Sequence, residues 1–341
     1  MNEVKRSVGN SNENTTPRDE QDEKSVCVRV PATSANLGPG FDCLGISLEL
    51  YSEFTLTLRR KPILTFELQG DGVEKVSRDE RNIVWQAVKY LLTRARANRE
   101  FLGAHLKLDN KIPLSRGLGS SASAIVGGLK AANALLNNRF SRRELLQMAT
   151  DIEGHPDNVA PAIFGGVTVS TVDRGRVHSL SFLPKIRLKL VVSVPDFTLA
   201  TRLARQALPE KVSLKDAVFN IGHASMLVAA LCRGNESFLR RSFADALHQP
   251  YRAHLIPGLT DVIYAARHAG ALGAALSGAG PTVIAFVADR EQTAAQVGEA
   301  MKNTFAKRGI NSKIMILNLD PKGAHLFTPP KEKDQNGSPE P

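Results

Sequence analysis

Residues 113–124, PLSRGLGSSASA, set two glycines and four serines directly before the apolar helical run IVGGLKAANALL. Gly117 and Gly119 permit backbone conformations that a β-carbon would block, and Ser120, Ser121 and Ser123 suit a helix N-terminus. Such a turn presents main-chain N–H groups at the positive end of a helix dipole. It is therefore an anion site whose small side chains let a phosphate approach the backbone. The simpler alternative is a glycine-rich loop with an ordinary serine cap. A Walker A loop is excluded, because no Gly-Lys-Ser/Thr follows the glycines.

A second chemical cluster lies in residues 151–166, DIEGHPDNVAPAIFGG, where Asp151, Glu153, His155, Asp157 and Asn158 fall within eight positions. Its acidic groups can hold a magnesium ion on nucleotide phosphates, position a hydroxyl, or accept its proton. The plain alternative is a turn rich in capping residues, with His155 as a structural histidine. Residues 32–45, ATSANLGPGFDCLG, present Asn36 and Asp42 around a second glycine turn. Either residue alone often only caps a turn. Arg205 and Arg252 are the side chains best matched to a carboxylate, although surface charge is the default for arginine. Residues 271–286, ALGAALSGAGPTVIAF, form a third glycine-rich turn.

These turns need elements to hold them. Alternation of Val26, Val28 and Val30 predicts a strand ending at Pro31, and residues 46–58 and 63–68 read as strands. Helical spacing of Ile83, Val84, Ala87, Val88, Leu91 and Leu92 predicts a helix over 82–95, with Trp85 in packing. Residues 101–108 return as a strand that Pro113 closes off from the glycine turn. Ser141 followed by Glu144 predicts a boxed cap on a helix over 141–149. Three strands follow within 166–194, then a stretch over 198–208 that carries Thr201, Arg202 and Arg205, helices over 214–231, 236–247 and 291–307, and a closing strand over 312–317. The alternation in the second half is typical of an α+β sandwich.

The chain has 341 residues, 42% of them hydrophobic, enough for a large core and about two domains. Residues 1–24 and 321–341 are nearly devoid of apolar side chains and read as disordered tails. The body between them carries 37 basic and 25 acidic residues. That excess favours anionic partners, and ATP and acidic metabolites explain it more simply than nucleic acid. Clustered Lys/Arg interleaved with aromatics is lacking, and aromatics are only 6% of the chain. Cys27, Cys43 and Cys232 have no metal-ligand spacing and read as reduced thiols of a cytoplasmic protein. Neither a signal-like start nor a membrane-length apolar run stands out, so no membrane association is expected.

Three glycine turns with an acidic cluster after the second resemble the GHMP kinase superfamily. Within it, SANLGPGFD joined with HPDNVAPAIFGG is similar to the homoserine kinase family. The matching motifs run from residue 26 to residue 318. The resemblance implies a two-domain α+β fold. An N-terminal α+β domain over 25–184 would hold nucleotide, and a C-terminal ferredoxin-like α/β sandwich would cover 185–320. It implies a kinase of threonine biosynthesis that phosphorylates the side-chain hydroxyl of L-homoserine with ATP and Mg2+ and that acts as a homodimer.

The homodimer is thus an expectation carried by the resemblance alone.

Residue roles carry over in the same way. Pro113, Arg116, Gly117, Leu118, Gly119, Ser120, Ser121 and Ser123 match the ATP-phosphate motif, and Asn82 falls at the adenine end. Ser121 and Glu153 would hold magnesium, with Asp151 as substitute, because Gln147 stands where many superfamily members carry the magnesium-binding glutamate. Asn36, Asp42, His155, Asp157, Asn158, Thr201, Arg205, Arg252 and Gly278 match substrate positions. Asp157 is either a general base, as in mevalonate-type relatives, or a ligand of the substrate ammonium. An amino-acid substrate independently calls for carboxylates for its ammonium and arginines for its carboxylate. The alternatives are a mevalonate-like kinase of the same superfamily and a non-catalytic nucleotide-binding regulator that kept the fold.

Overall fold

The computed structural model describes residues 24–329. The expected tail over residues 1–23, and its counterpart over 330–341, lie outside the described residues.

The first half runs β1 (Ser25–Ala35), β2 (Leu44–Arg59), β3 (Leu64–Gly70), α1 (Ile83–Arg94), β4 (Gly103–Asn110), α2 (Ser120–Leu135), α3 (Arg142–Glu153), α4 (Pro156–Phe164), β5 (Val167–Asp173) and β6 (Arg176–Phe182). The second half runs β7 (Leu188–Pro195), α5 (Thr201–Gln206), α6 (Leu214–Arg233), α7 (Glu236–Leu239), α8 (Gln249–Arg252), α9 (Leu259–His268), β8 (Gly273–Leu276), β9 (Val283–Ala288), α10 (Glu291–Ala306), β10 (Ser312–Leu317) and β11 (His325–Leu326).

In the first sheet β2 pairs with β1 along one edge and is long enough to serve two partners along the other. Its C-terminal half pairs with β4, which carries β3 in parallel, and its N-terminal end pairs with β5, which carries β6. Helices α1 to α4 cover this sheet. Trp85, Leu91, Ile125, Leu129, Leu145 and Val159 form a core with Val28, Phe54 and Leu106 beneath them. Trp85 is packed as expected, and its Nε1 donates to Glu80 at 2.8 Å. Asn82 caps α1, and Ser141 with Glu144 forms the anticipated capping box on α3.

The second sheet has the order β10-β7-β9-β8, antiparallel throughout, with helical segments between β7 and β8 and between β9 and β10. This is the ferredoxin-like arrangement. Strand periodicity sends Val191 and Ala285 toward α9 and α10, and Leu190, Val192, Ile284 and Phe286 toward Ile46, Leu48 and Leu118 of the first half. One apolar core therefore joins both halves directly under the glycine turns.

Three sequence expectations need correction. β1 does not end at Pro31 but continues to Ala35. The register slips between Pro31 and Ala32, so the proline, which lacks an N–H, sits at an irregularity in the ladder. The helix expected over 236–247 stops at Leu239, because Phe243 is drawn inward onto Phe286 and Asp245 accepts the amides of Leu247, His248 and Gln249. The tail does not begin at residue 321. Gly323 donates to buried Asp320, Ala324 enters the first core, and β11 adds an edge to β1. The sparse apolar content hid how few contacts suffice to anchor a short edge.

Candidate active site

The three glycine turns meet at the junction of the two halves. Asn36 adopts a left-handed conformation with φ of 71°, which asparagine tolerates better than most residues. Its Oδ1 accepts the amide of Asp42 at 3.0 Å, and its Nδ2 donates to the carbonyl of Gly278 at 3.0 Å, tying the first turn to the third. Ser277 donates its hydroxyl to the carbonyl of Gly117 at 2.5 Å and lies 2.8 Å from Ser34 Oγ, tying the third to the second. Gly119 has φ of +70°, and a β-carbon there would lie 1.9 Å from Thr33 Oγ1. Only glycine fits this approach.

Gly119 is also the N-cap of α2 and supplies no side-chain acceptor, so the first-turn amides face the cleft without a side-chain cap. A cleft of about 400 Å3 opens in front of them. Its lining includes Asn82, Arg116, Gly117, Gly119, Ser120 and Ser121, and with them Asn36, Asp42, Glu153, His155, Asp157 and Asn158. Thr201, Arg205, Arg252 and Gly278 also line it.

Pro113, Leu118 and Ser123 were expected here and do not line the cleft. Pro113 and Leu118 are buried, Leu118 in the core that joins the halves. Ser123 is buried too, with its amide on Gly119 and its hydroxyl on the carbonyl of Ser120. It stabilises the helix start instead. Asn82 reaches the cleft wall, and its side chain accepts from the amides of Val84 and Trp85 and donates to the carbonyl of Ser77.

Glu153, the last residue of α3, reaches the mouth of α2, where Ser121 Oγ donates to its Oε2 at 2.9 Å. Burial pushes the Glu153 carboxyl upward, and the Ser121 hydrogen bond opposes that rise. Asp151 points elsewhere: its carboxylate accepts from Tyr90 and Gln147 at 2.8 Å each. Gln147 itself ties α3 to Gly175 and Val177 of the β5–β6 hairpin.

Asp157 is buried in the first turn of α4, and His155 Nδ1 lies 2.5 Å from its Oδ1. Burial opposes charge on His155, but the Asp157 carboxylate outweighs it and raises the imidazole above its ordinary range. Asp42, His155 and Asp157 bring ligand atoms within 4.8 Å of one another, an arrangement suited to a cation or an ammonium group. Arg205 donates to both oxygens of Asp42, at 3.1 and 2.9 Å. Arg252 is almost completely buried, donating through Nε to Ala204 and through Nη1 to Gly278. Burial, then the neighbouring Arg205, lowers it to about 10.

Sequence reasoning missed Phe41, whose ring lies 5.8 Å from the Arg205 guanidinium and 5.3 Å from that of Arg252. It also missed Thr33, Ser277 and His248. All but His248 sit inside or beside the quoted glycine turns, so position in the motif was the available signal.

Comparison with known proteins agrees with this geometry. The family model "GHMP kinases N terminal domain" matches residues 82–166, and "GHMP kinases C terminal" matches residues 227–307. The homoserine kinase of Carboxydothermus hydrogenoformans is 48% identical over 299 residues, covering 88% of this chain and 96% of that protein. That of Moorella thermoacetica is 45% identical, covering 85% and 96%. The crystal structure of homoserine kinase from Cytophaga hutchinsonii aligns with a TM-score of 0.82 at 32% identity, over 90% of this chain and 99% of that one. The L. major mevalonate kinase, at 17% identity and a TM-score of 0.64, shares the fold. The chain belongs to the GHMP kinases and, among them, to the homoserine kinase family.

Proposed function

We propose that this protein transfers the γ-phosphoryl group of ATP to the side-chain hydroxyl of L-homoserine, giving O-phospho-L-homoserine and ADP in threonine biosynthesis. One observation carries the substrate choice: two carboxylates, Asp42 and Asp157, and two guanidiniums, Arg205 and Arg252, line the same cleft as the first turn of α2, with Arg205 directly on Asp42. The ammonium rests on Asp42 and Asp157, and the carboxylate on Arg205 and Arg252. Mevalonate has no ammonium to offset the acidic pair, which disfavours that alternative.

The first-turn amides of α2, with those around Gly117 and Gly119, hold the triphosphate. Ser121 and Glu153 offer two hard oxygen donors 2.9 Å apart at that spot, a set that fits magnesium. Magnesium bound there neutralises charge on the phosphate oxygens. Asp157 is already bonded to His155, which suits it to holding the ammonium rather than to taking a proton from the hydroxyl. The proton of the attacking hydroxyl then passes to phosphate or water. Phosphoryl transfer permits this because positioning and charge neutralisation supply most of the catalysis.

The implied homodimer belongs to the same reading. Exposed Leu214, Val218 and Ile221 on α6 give it an apolar face, and sedimentation velocity reads the mass. Among the described residues no helix is long and apolar enough to cross a membrane. The test of function is ADP release with magnesium-ATP and homoserine, mevalonate, serine or threonine supplied separately. Turnover strongest on homoserine supports the reading; turnover strongest on mevalonate, or none with any alcohol, refutes it.

A further inference from the structure

His248 is fully buried behind the substrate end of the cleft, immediately before α8. Its Nε2 donates to the carbonyl of Gly38 at 2.7 Å, and its Nδ1 lies 3.3 Å from Arg252 Nη1, from which it accepts. Those two bonds need a neutral ring with its proton on Nε2. The ring also stacks on Phe41, with centroids 5.3 Å apart, and Phe41 in turn lies under both guanidiniums. The first glycine turn and Arg252 are thus joined through one imidazole.

Burial keeps that ring neutral against charges of both signs. Arg252 faces Nδ1, Asp245 lies 3.5 Å from Nε2, and Asp42 of the first turn contributes at longer range. Burial outweighs the attraction of Asp245 and lowers the imidazole below its ordinary range. The amides of His248 and Gln249 hold Asp245 in place, at 3.1 and 2.7 Å.

We infer that His248 is a positioning residue, a neutral bridge between Gly38 and Arg252 that aims the guanidinium at the substrate carboxylate. This deepens the homoserine reading above and rests on it. Glutamine carries a neutral donor and acceptor on one carbon and can replace the bridge; leucine fills the space and replaces neither bond.

The test is steady-state kinetics of wild type, His248→Leu and His248→Gln, with homoserine and with 3-aminopropan-1-ol, the same amino alcohol without its carboxylate. For His248→Leu, the KM for homoserine rises about tenfold, the scale of one lost hydrogen bond to a charged group, while the KM for ATP stays within about twofold. Preference for homoserine over 3-aminopropan-1-ol, as the ratio of kcat/KM values, falls by a similar factor. His248→Gln recovers most of both. Should His248→Leu not fold, His248→Asn replaces it, because the shorter amide cannot span both partners. An unchanged KM for homoserine, equal rises in both KM values, an unchanged preference, or no recovery by glutamine overturns the assignment. Wild type inactive on homoserine overturns the parent reading as well.

Discussion

Arg205 and Asp42 grip each other across the substrate end of the cleft, through Nη1 to Oδ2 at 3.1 Å and Nη2 to Oδ1 at 2.9 Å. These are the groups assigned to opposite charges of the substrate. A zwitterion entering between them offers each a replacement partner, so neither charge is left unpaired. Arg205→Ala therefore raises the KM for homoserine by about 10- to 100-fold, the range for hydrogen bonds to charged groups, with little change in the KM for ATP. Equal effects on both constants would show that Arg205 does not hold the substrate.

The Ser121–Glu153 contact distinguishes two carboxylates only two residues apart. Glu153→Gln is expected to lower kcat about 100-fold and to raise the magnesium concentration needed for half-maximal rate. Asp151→Asn, which alters the contacts with Tyr90 and Gln147 instead, leaves the magnesium requirement unchanged. A magnesium titration of both variants checks the assignment, and a shift in Asp151→Asn alone would reverse it.

At Gly119 the backbone and the neighbouring chain both exclude a β-carbon. Gly119→Ala costs about 1–2 kcal/mol from the left-handed conformation alone, before the clash with Thr33 is added. Thermal unfolding should register that loss, together with an increase in the KM for ATP. A variant with unchanged melting temperature and unchanged KM for ATP would show that the turn is not rigidly held.

Much of this was legible in the chain, for local reasons. Ser141 with Glu144, the apolar face of the helix over 82–95, and the glycines at 117 and 119 act within a few residues, so periodicity and capping rules read them directly, although the cap supplied by Asn82 went unread. Asn36, Asp42, Ser121, Glu153 and Asp157 each lie in a glycine turn or acidic cluster whose chemistry is visible on its own, whereas Asn82, Thr201, Arg205 and Arg252 took their roles from the family resemblance. What escaped depends on partners distant in sequence. The break after Leu239 is set by the packing of Phe243 on Phe286, and the anchoring of residues 321–329 by buried Asp320, which is held by Ser47 and Tyr51, and by β1. The part played by His248 depends on Gly38, 210 positions away.

The anchoring of the C-terminal segment gives a stability prediction. Asp320 is fully buried and accepts from Ser47, Tyr51 and the amide of Gly323. Asp320→Ala leaves those donors without their acceptor and should cost about 3 kcal/mol in denaturant unfolding. A loss below about 1 kcal/mol, within the effect of an ordinary surface change, would mean the segment is not secured there.

The His155–Asp157 pair gives a pH dependence. Because the folded protein raises the His155 pKa, the stability it contributes is fully present below the ordinary value of 6.5 and is lost as pH rises through the raised value. The difference in melting temperature between wild type and His155→Gln should be largest in acid and shrink toward alkaline pH. A difference that grows with pH would contradict the pairing.

The central claim is that main-chain amides at the mouth of α2 hold the triphosphate while oppositely charged side chains grip an amino acid beside it. A crystal structure with a non-hydrolysable ATP analogue and homoserine tests this most directly. The expected density places the phosphates on the amides around Gly117 to Ala122, the amino-acid carboxylate on Arg205 and Arg252, and the ammonium on Asp42 and Asp157. Nucleotide bound elsewhere, with those amides facing solvent, or an amino acid bound in the reverse orientation, would contradict it.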